Sequence, residues 1–232
     1  SIYSISEFSK NKIKNYKIIS NPGCYPTSIQ LPLIPLIKKS LIELKDIIID
    51  SKSGYSGAGK NYKKKFTHKN IDTSMFAYGI EIHRHMSELD QELSKYSSNK
   101  IGYVFNPHLI PTFRGILTSM YLKLNKNVNI KQIYNEIKNY HKKNYFIKLH
   151  KLNTAIGTGN VMNTNYCEIS VCKTRIKNQI VITNWHVIRG AKNILVKFLN
   201  GEKINAEVIL KDSKNDIAFL KLERSPQLPP SD

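Results

Sequence analysis

Cys24 sits in Asn21-Pro22-Gly23-Cys24-Tyr25-Pro26-Thr27, with turn residues before it and an apolar stretch of helical spacing after it. A thiol at a helix N-terminus feels the positive end of the helix dipole, which favours the thiolate and makes it a nucleophile. Without that setting, a lone cysteine is more often a small buried hydrophobe. A nucleophilic thiol needs a proton partner. His83-Arg84-His85, with Glu88 three residues on, supplies the candidates. On a strand, residues two apart point the same way, so His83 and His85 share a face and Arg84 takes the other. One histidine can then act as acid or base while the other binds an anion. The spacing of His83, His85 and Glu88 is not that of a metalloprotease, and no metal is expected. Of the other histidines, His68, His141 and His150 read as surface residues and His108 as a core residue. Ser53, Gly54, Ser56 and Gly57 belong to SGYSGAGK (53–60), a Gly-rich loop after a strand whose backbone can approach a phosphate closely. The loop fits neither the P-loop nor the dinucleotide fingerprint. Arg114, one of only five arginines, follows Pro111, Thr112 and Phe113 and reads as an anion-binding side chain.

These side chains need a scaffold. Residues 2–17 read as a helical lead-in, and Ile18 and Ile19 as a short strand. A helix follows Pro26, a residue that a first helical turn tolerates, and continues through residues 40–44. Residues 47–50 form a buried strand, 51–70 a loop and 76–82 a strand. Residues 87–96 form a helix capped by Ser87. Strands at 104–109 and 115–123 precede an amphipathic helix at 130–143, and 166–172 alternates as a strand. This irregular mixture predicts an α+β layer, a mixed sheet with helices on one face. From Ile180 the texture becomes all-β. Alternation at 194–199 and 204–210 flanks Asn200-Gly201, a two-residue hairpin signal, and 217–222 is another strand.

Thirty-six Lys and Arg against 17 Asp and Glu give a net charge of +19 over 232 residues, which invites a nucleic-acid reading. But 31 of those basic residues are Lys, beside 32 Ile and 23 Asn, all encoded by A/T-rich codons. Nucleic-acid sites favour Arg, so no nucleic-acid partner is expected. At 41% hydrophobic the chain can build a core, and it has no apolar run long enough to span a membrane. No signal peptide is read at its start, and the opening Ser rather than Met suggests a piece of something longer. Three cysteines cannot all pair, so a reducing compartment is expected. Residues 1–180 carry a net +17 and residues 181–232 a net +2, a break in composition near residue 180.

The stretches NPGCYPT (21–27), SGYSGAGK (53–60), HRHMSEL (83–89), PHLIPTFRGIL (107–117) and GTGNVMNTNYCEISV (157–171) together resemble the N-acetyl-γ-glutamyl-phosphate reductase family. Residues 3–8 also look like the segment just before that family's cysteine. The resemblance covers residues 1–182 and implies a glyceraldehyde-phosphate-dehydrogenase-like C-terminal domain that assembles as a homo-oligomer in the cytoplasm. It implies that Cys24 attacks a small-molecule acyl phosphate to form a thioester. His83 would be the catalytic histidine, His85, Glu88 and Arg114 would bind or orient the substrate, and Ser53, Gly54, Ser56 and Gly57 would line the cofactor side. NADP is the implied cofactor, but no Gly-rich dinucleotide unit stands ahead of Cys24, so the binding domain is read as absent and the fragment as inactive alone. Aspartate-semialdehyde dehydrogenase is the alternative within the class.

From Thr183 the text TNWHVIRGA, with DIAFLK at 216–221, resembles the HtrA branch of trypsin-like serine proteases. His186 and Asp216 match the base and the orienting carboxylate, and no Gly-x-Ser-Gly turn follows to supply the nucleophile. The expectation is two domains, 1–182 and 183–232, the second a partial trypsin-like β-barrel without protease activity, joined from fragments of two genes.

Overall fold

The computed structural model describes residues 1–58, 70–185, 194–197, 203–212 and 217–222. The chain divides into two units, Ser1–Arg189 and Gly190–Asp232.

In the first unit, a small parallel pair joins β1 (Ile2–Tyr3) to β2 (Ile19–Ser20), with the short helical turn α1 (Ser6–Ser9) between them. The expected helical lead-in is thus a strand, one helical turn and a 3-10 turn. Helix α2 (Cys24–Lys38) starts one residue after Gly23, with Pro26 in its first turn, where an N–H has no intrahelical partner to lose. The principal sheet has seven strands: β3 (Ile47–Gly54), β4 (Phe76–Ala77), β5 (Tyr103–Ile110), β6 (Ile116–Lys123), β7 (Ile147–Leu149), β8 (Cys167–Lys173) and β9 (Gln179–Trp185). Their order is β4-β5-β3-β6-β9-β8-β7. The β3–β5 and β7–β8 pairs are parallel and the rest antiparallel, so the sheet is mixed. Helices α2, α3 (His85–Leu93) and α4 (Ile130–His141) cover one face. Ile47 and Ile49, Phe105, Met120 and Leu122, Ile169 and Val171, and Ile180 and Ile182 bury against Ile29, Leu33, Leu89, Ile133 and Ile137. On the other face Ile48, Val104 and Tyr121 remain partly exposed. This is the α+β layer with helices on one face that the pattern predicts.

Helix α2 does not continue through residues 40–44. Ser40 adopts φ 50°, its N–H bonds to Ile37 O at 2.9 Å, and Leu41 N bonds to Leu36 O at 3.0 Å. That pair of bonds is a Schellman stop, with Ser where Gly is commoner. Inside α2, Pro35 has no N–H to give to Leu31 O four residues back. Nε2 of His141, on α4, meets that carbonyl at 2.8 Å instead, while Nδ1 meets the Asn144 side chain at 2.8 Å. His141 is therefore buried rather than on the surface, and burial pushes its pKa down. Helix α4 itself begins on a capping box, Asn129 with Gln132.

The strand expected at 76–82 ends at Ala77. Gly79 at φ 61° and Glu81 at φ 62° turn the chain, and α3 begins at His85, two residues before the expected cap. Ser87 instead donates back to Arg84 O at 2.8 Å. Likewise, His108 lies on the open face, its Nδ1 3.1 Å from Asp50 Oδ1, rather than in the core. His150 is half-buried against Glu168, with Nε2 2.9 Å from Oε2. His68 lies outside the described residues.

The junction expected between residues 182 and 183 falls inside β9, which pairs with β6 and β8 without a break to Trp185. In the second unit, β10 (Ile194–Lys197), β11 (Lys203–Asp212) and β12 (Ile217–Leu222) form an antiparallel meander. Lys197 pairs with Lys203. The turn expected at Asn200-Gly201 lies outside the described residues. Three antiparallel strands are common to many β folds and do not single out a trypsin-like barrel. No helix among the described residues is long and apolar enough to cross a membrane.

Candidate active site

Cys24 is the first residue of α2, and Gly23 caps that helix with no side chain. The carbonyl of Gly23 accepts both the N–H of Thr27, at 3.0 Å, and its hydroxyl, at 2.9 Å. Two hydrogen bonds therefore close the opening turn that carries Cys24. The turn ahead of it is pinned by Glu88, whose Oε2 accepts the Gly23 N–H at 2.9 Å and a hydrogen bond from the Tyr3 hydroxyl. Burial, with the Glu88 carboxylate beside it, holds the Tyr3 phenol well above its usual pKa. One carboxylate thus joins three distant pieces of chain, β1, the Gly23 turn and α3.

His83 and His85 are brought together, although not on a strand. The left-handed turn at 79–81 and the start of α3 stack their rings edge to face, with centroids 4.7 Å apart. The His85 N–H donates to Nδ1 of His83 at 3.2 Å. Neutral His83 consequently carries its ring proton on Nε2. His85 is 4% exposed, its Nε2 is 3.9 Å from Glu88 Oε1, and its ring lies against Gly23 so closely that a Cβ there would come within 2.4 Å of Nε2. Glycine at 23 is thus required by the imidazole, since its φ of −61° would suit any residue. Arg84 is exposed.

Two tyrosines that the motif reading passed over complete the group. The Tyr25 ring packs against His83 and His85 at 5.5 and 5.8 Å, and its hydroxyl is 3.2 Å from that of Tyr78. Tyr78 packs on His83 at 5.5 Å. Burial pushes the Tyr78 phenol up to about 12 and the Tyr25 phenol well above its usual range, so both act as neutral hydrogen-bonding groups. Tyr25 adjoins Cys24 in the motif, which is a usable signal. Tyr78 stands alone in its stretch of sequence and offers none.

The loop expected from residue 51 begins later: Ser53 and Gly54 end β3, Ser56 and Gly57 lie in a 3-10 turn after it, and much of this backbone is already engaged. The N–H groups of Gly54, Tyr55 and Ser56 bond to the carbonyls of Gly115, Thr112 and Phe113 at 2.7, 3.0 and 2.9 Å. Those three amides cannot cradle a phosphate. Ser53 donates to Gly54 O at 3.0 Å, and a Cβ on Gly54 would come within 2.7 Å of Arg114 N. The stretch is a backbone brace that seats the turn carrying Arg114, whose guanidinium lies 4.9 Å from the Phe113 ring.

A cavity of about 290 Å3 opens beside the start of α2, bounded by Asn21, Pro22, Thr27, Glu7, Phe146 and Asn165 among others. His186 and Asp216 lie outside the described residues, and the protease reading rests on sequence motifs alone. All three cysteines keep their thiols.

Residues 24–185 match the family described as semialdehyde dehydrogenase, dimerisation domain. The chain is 38% identical over 201 residues to N-acetyl-gamma-glutamyl-phosphate reductase of Thermoanaerobacter pseudethanolicus (strain ATCC 33223 / 39E), covering 86% of this chain and 58% of the relative. It is also 38% identical over 201 residues to a probable chloroplastic N-acetyl-gamma-glutamyl-phosphate reductase of Oryza sativa subsp. japonica, covering 86% and 48%. The chain therefore spans about half to three-fifths of the length of these curated relatives. Among solved structures, aspartate semialdehyde dehydrogenase from Francisella tularensis superposes with a TM-score of 0.61 at 12% identity, covering 80% of this chain and 65% of that one. At that identity the likeness concerns the fold.

Proposed function

Because the chain belongs to the semialdehyde dehydrogenase family, through that family's dimerisation domain, we propose that it is the thiol-bearing half of an N-acetyl-γ-glutamyl-phosphate reductase. The observation that carries this reading is Cys24 at the start of α2, with His83 and His85 packed on the residues either side of it. The Cys24 thiolate attacks the acyl carbon of the acyl phosphate. The carbonyl oxygen becomes an oxyanion, the C–O bond to phosphate breaks as it collapses, and a thioester and inorganic phosphate result.

His83 enters this step as a hydrogen-bond donor. A second ring proton would have to sit on Nδ1, where the His85 N–H already points. Neutral His83 therefore presents Nε2–H to the oxyanion, and the first turn of α2 favours the thiolate. His85 and Glu88 hold the Gly23 turn, and Arg114 serves the anionic end of the substrate.

Reduction of the thioester to the semialdehyde requires a hydride donor, NADPH in this reading. The amides of Gly54, Tyr55 and Ser56 in the Gly-rich turn are bonded to residues 112–115 and do not fit a dinucleotide's phosphates, and no step through the cofactor is assigned to them. The chain is proposed to act as a homo-oligomer in the cytoplasm, in line with the family's dimerisation domain.

Mixing the chain with the acyl phosphate tests the half-reaction directly. One phosphate should be released per Cys24, with a thioester mass on the Cys24 peptide. Cys24→Ser should abolish both, and phosphate release undiminished in that variant would sink the reading. The aspartate-semialdehyde alternative predicts the same burst with aspartyl phosphate as the better substrate.

A further inference from the structure

Three hydroxyl groups, on residues with 0% exposure, connect the helix of the nucleophile to the sheet beneath it: Ser28 of α2, Thr118 of β6 and Ser51 of β3. Ser28 donates to the Tyr25 carbonyl at 2.8 Å. Its oxygen is 2.8 Å from Thr118 Oγ1, which is 2.9 Å from Ser51 Oγ. Each hydroxyl has one proton to give. Ser28 gives its proton to Tyr25, so it must accept from Thr118. Thr118 in turn must accept from Ser51. The chain of bonds therefore runs one way, from β3 through β6 to α2, and ends on the carbonyl of the residue after Cys24.

Three buried hydroxyls are not what stability alone would select here. The surrounding core is Ile and Leu, Val would suit a strand position such as 118, and a buried hydroxyl must be bonded merely to offset its desolvation. Directionality is what the bonds add. A helix seated on a sheet by aliphatic contacts alone can slide or rotate slightly, and a hydrogen bond at its first turn removes that freedom where the thiol is. Asn184 gives a second sign that this spot is polar for a reason. It pairs with Thr118 across the β6–β9 register, is 0% exposed, and neither of its amide atoms has a partner among the described residues.

We propose that Thr118 is a positioning residue which, through Ser28, sets the seating of α2 on the sheet and so the place of the Cys24 thiol against His83 and His85. The proposal rests on Cys24 being the reactive nucleophile. Its readout is alkylation of Cys24 by iodoacetamide in the intact chain, followed by peptide mass spectrometry from about pH 5 to about pH 10. The chain is compared with Thr118→Val, Thr118→Ser and Ser51→Ala. Thr118→Val should slow neutral-pH alkylation about fivefold, the size of a first-turn dipole contribution, and move the pH midpoint upward. Thr118→Ser should restore the original profile. Ser51→Ala should fall between, because the Thr118–Ser28 bond survives it.

A purely structural role would lower the melting temperature without moving the pH midpoint. An unchanged midpoint in folded Thr118→Val, with the parent thiol reactive at neutral pH, overturns this inference and leaves the nucleophile reading standing. An ordinary-thiol profile in the parent chain overturns both. If Thr118→Val does not fold, Ser28→Ala carries the test, and an unmoved midpoint there refutes the proposal equally.

Discussion

Replacing Gly23 with Ala puts a single methyl group where the His85 imidazole now lies. The new Cβ would stand 2.4 Å from Nε2 and 2.8 Å from both Cδ2 and Cε1. An ordinary contact begins near 3.4 Å, so the ring must retreat by about 1 Å. Behind it stand His83, with ring centroids 4.7 Å apart, and Tyr25 at 5.8 Å. The ring cannot retreat without disturbing the histidine and tyrosine packed against it. Overpacking of this kind costs about 1–3 kcal/mol of stability, and a catalytic group displaced by about 1 Å can lose about 100-fold in rate. Backbone strain adds nothing, because Gly23 has φ −61°. The assay pairs urea unfolding with phosphate release from the acyl phosphate, for the four members of a cycle built from Gly23→Ala and His85→Ala. If the clash is the cause, Gly23→Ala should cost little stability once His85 is already Ala, giving a coupling of about 1–3 kcal/mol. Additive effects would refute the reasoning, and so would a single Gly23→Ala variant with parental stability and rate.

Further predictions follow from the same geometry. Gly54→Ala should cost about 1–3 kcal/mol and expose residues 53–58 to limited proteolysis, because its Cβ would meet backbone atoms of Arg114 at 2.7 and 2.8 Å rather than a movable side chain. Tyr78 has its phenol raised from 10.0 to about 12, so its contribution is complete below pH 10 and is lost as pH rises to about 12. The difference in unfolding free energy between the chain and Tyr78→Phe, measured by urea titration, should therefore change over that window by about 2–3 kcal/mol. His141 is held neutral by burial, its pKa lowered from 6.5, so the unfolded chain binds the proton more readily and stability should fall as pH drops below about 6.5. His141→Gln should flatten that acid-side slope in thermal unfolding. Tyr3→Phe removes a donor to the Glu88 carboxylate and should lower stability by about 1.5–3 kcal/mol in the same unfolding assay.

Local sequence made the candidate nucleophile and most of the elements legible. A cysteine after Asn-Pro-Gly and before a helical pattern is legible because turn and helix propensities are local. The alternation of strands such as 116–123 is legible because each side chain answers to one face of the sheet. Other features arise from partners distant in the chain and leave no local signal. The histidine pair is assembled by left-handed backbone at Gly79 and Glu81, not by the strand that alternation implied. Glu88, read as a substrate ligand, holds together Tyr3 and Gly23, which come from far earlier in the chain. The Gly-rich stretch looked like a phosphate cradle because glycine permits close backbone approach, yet what approaches Gly54 is the backbone of Arg114. His141 lies inside because Pro35 leaves the Leu31 carbonyl without its helical partner, a vacancy that no local pattern around residue 141 announces. Residue type fixes what a group can donate, accept or attack, and the fold decides which group it meets.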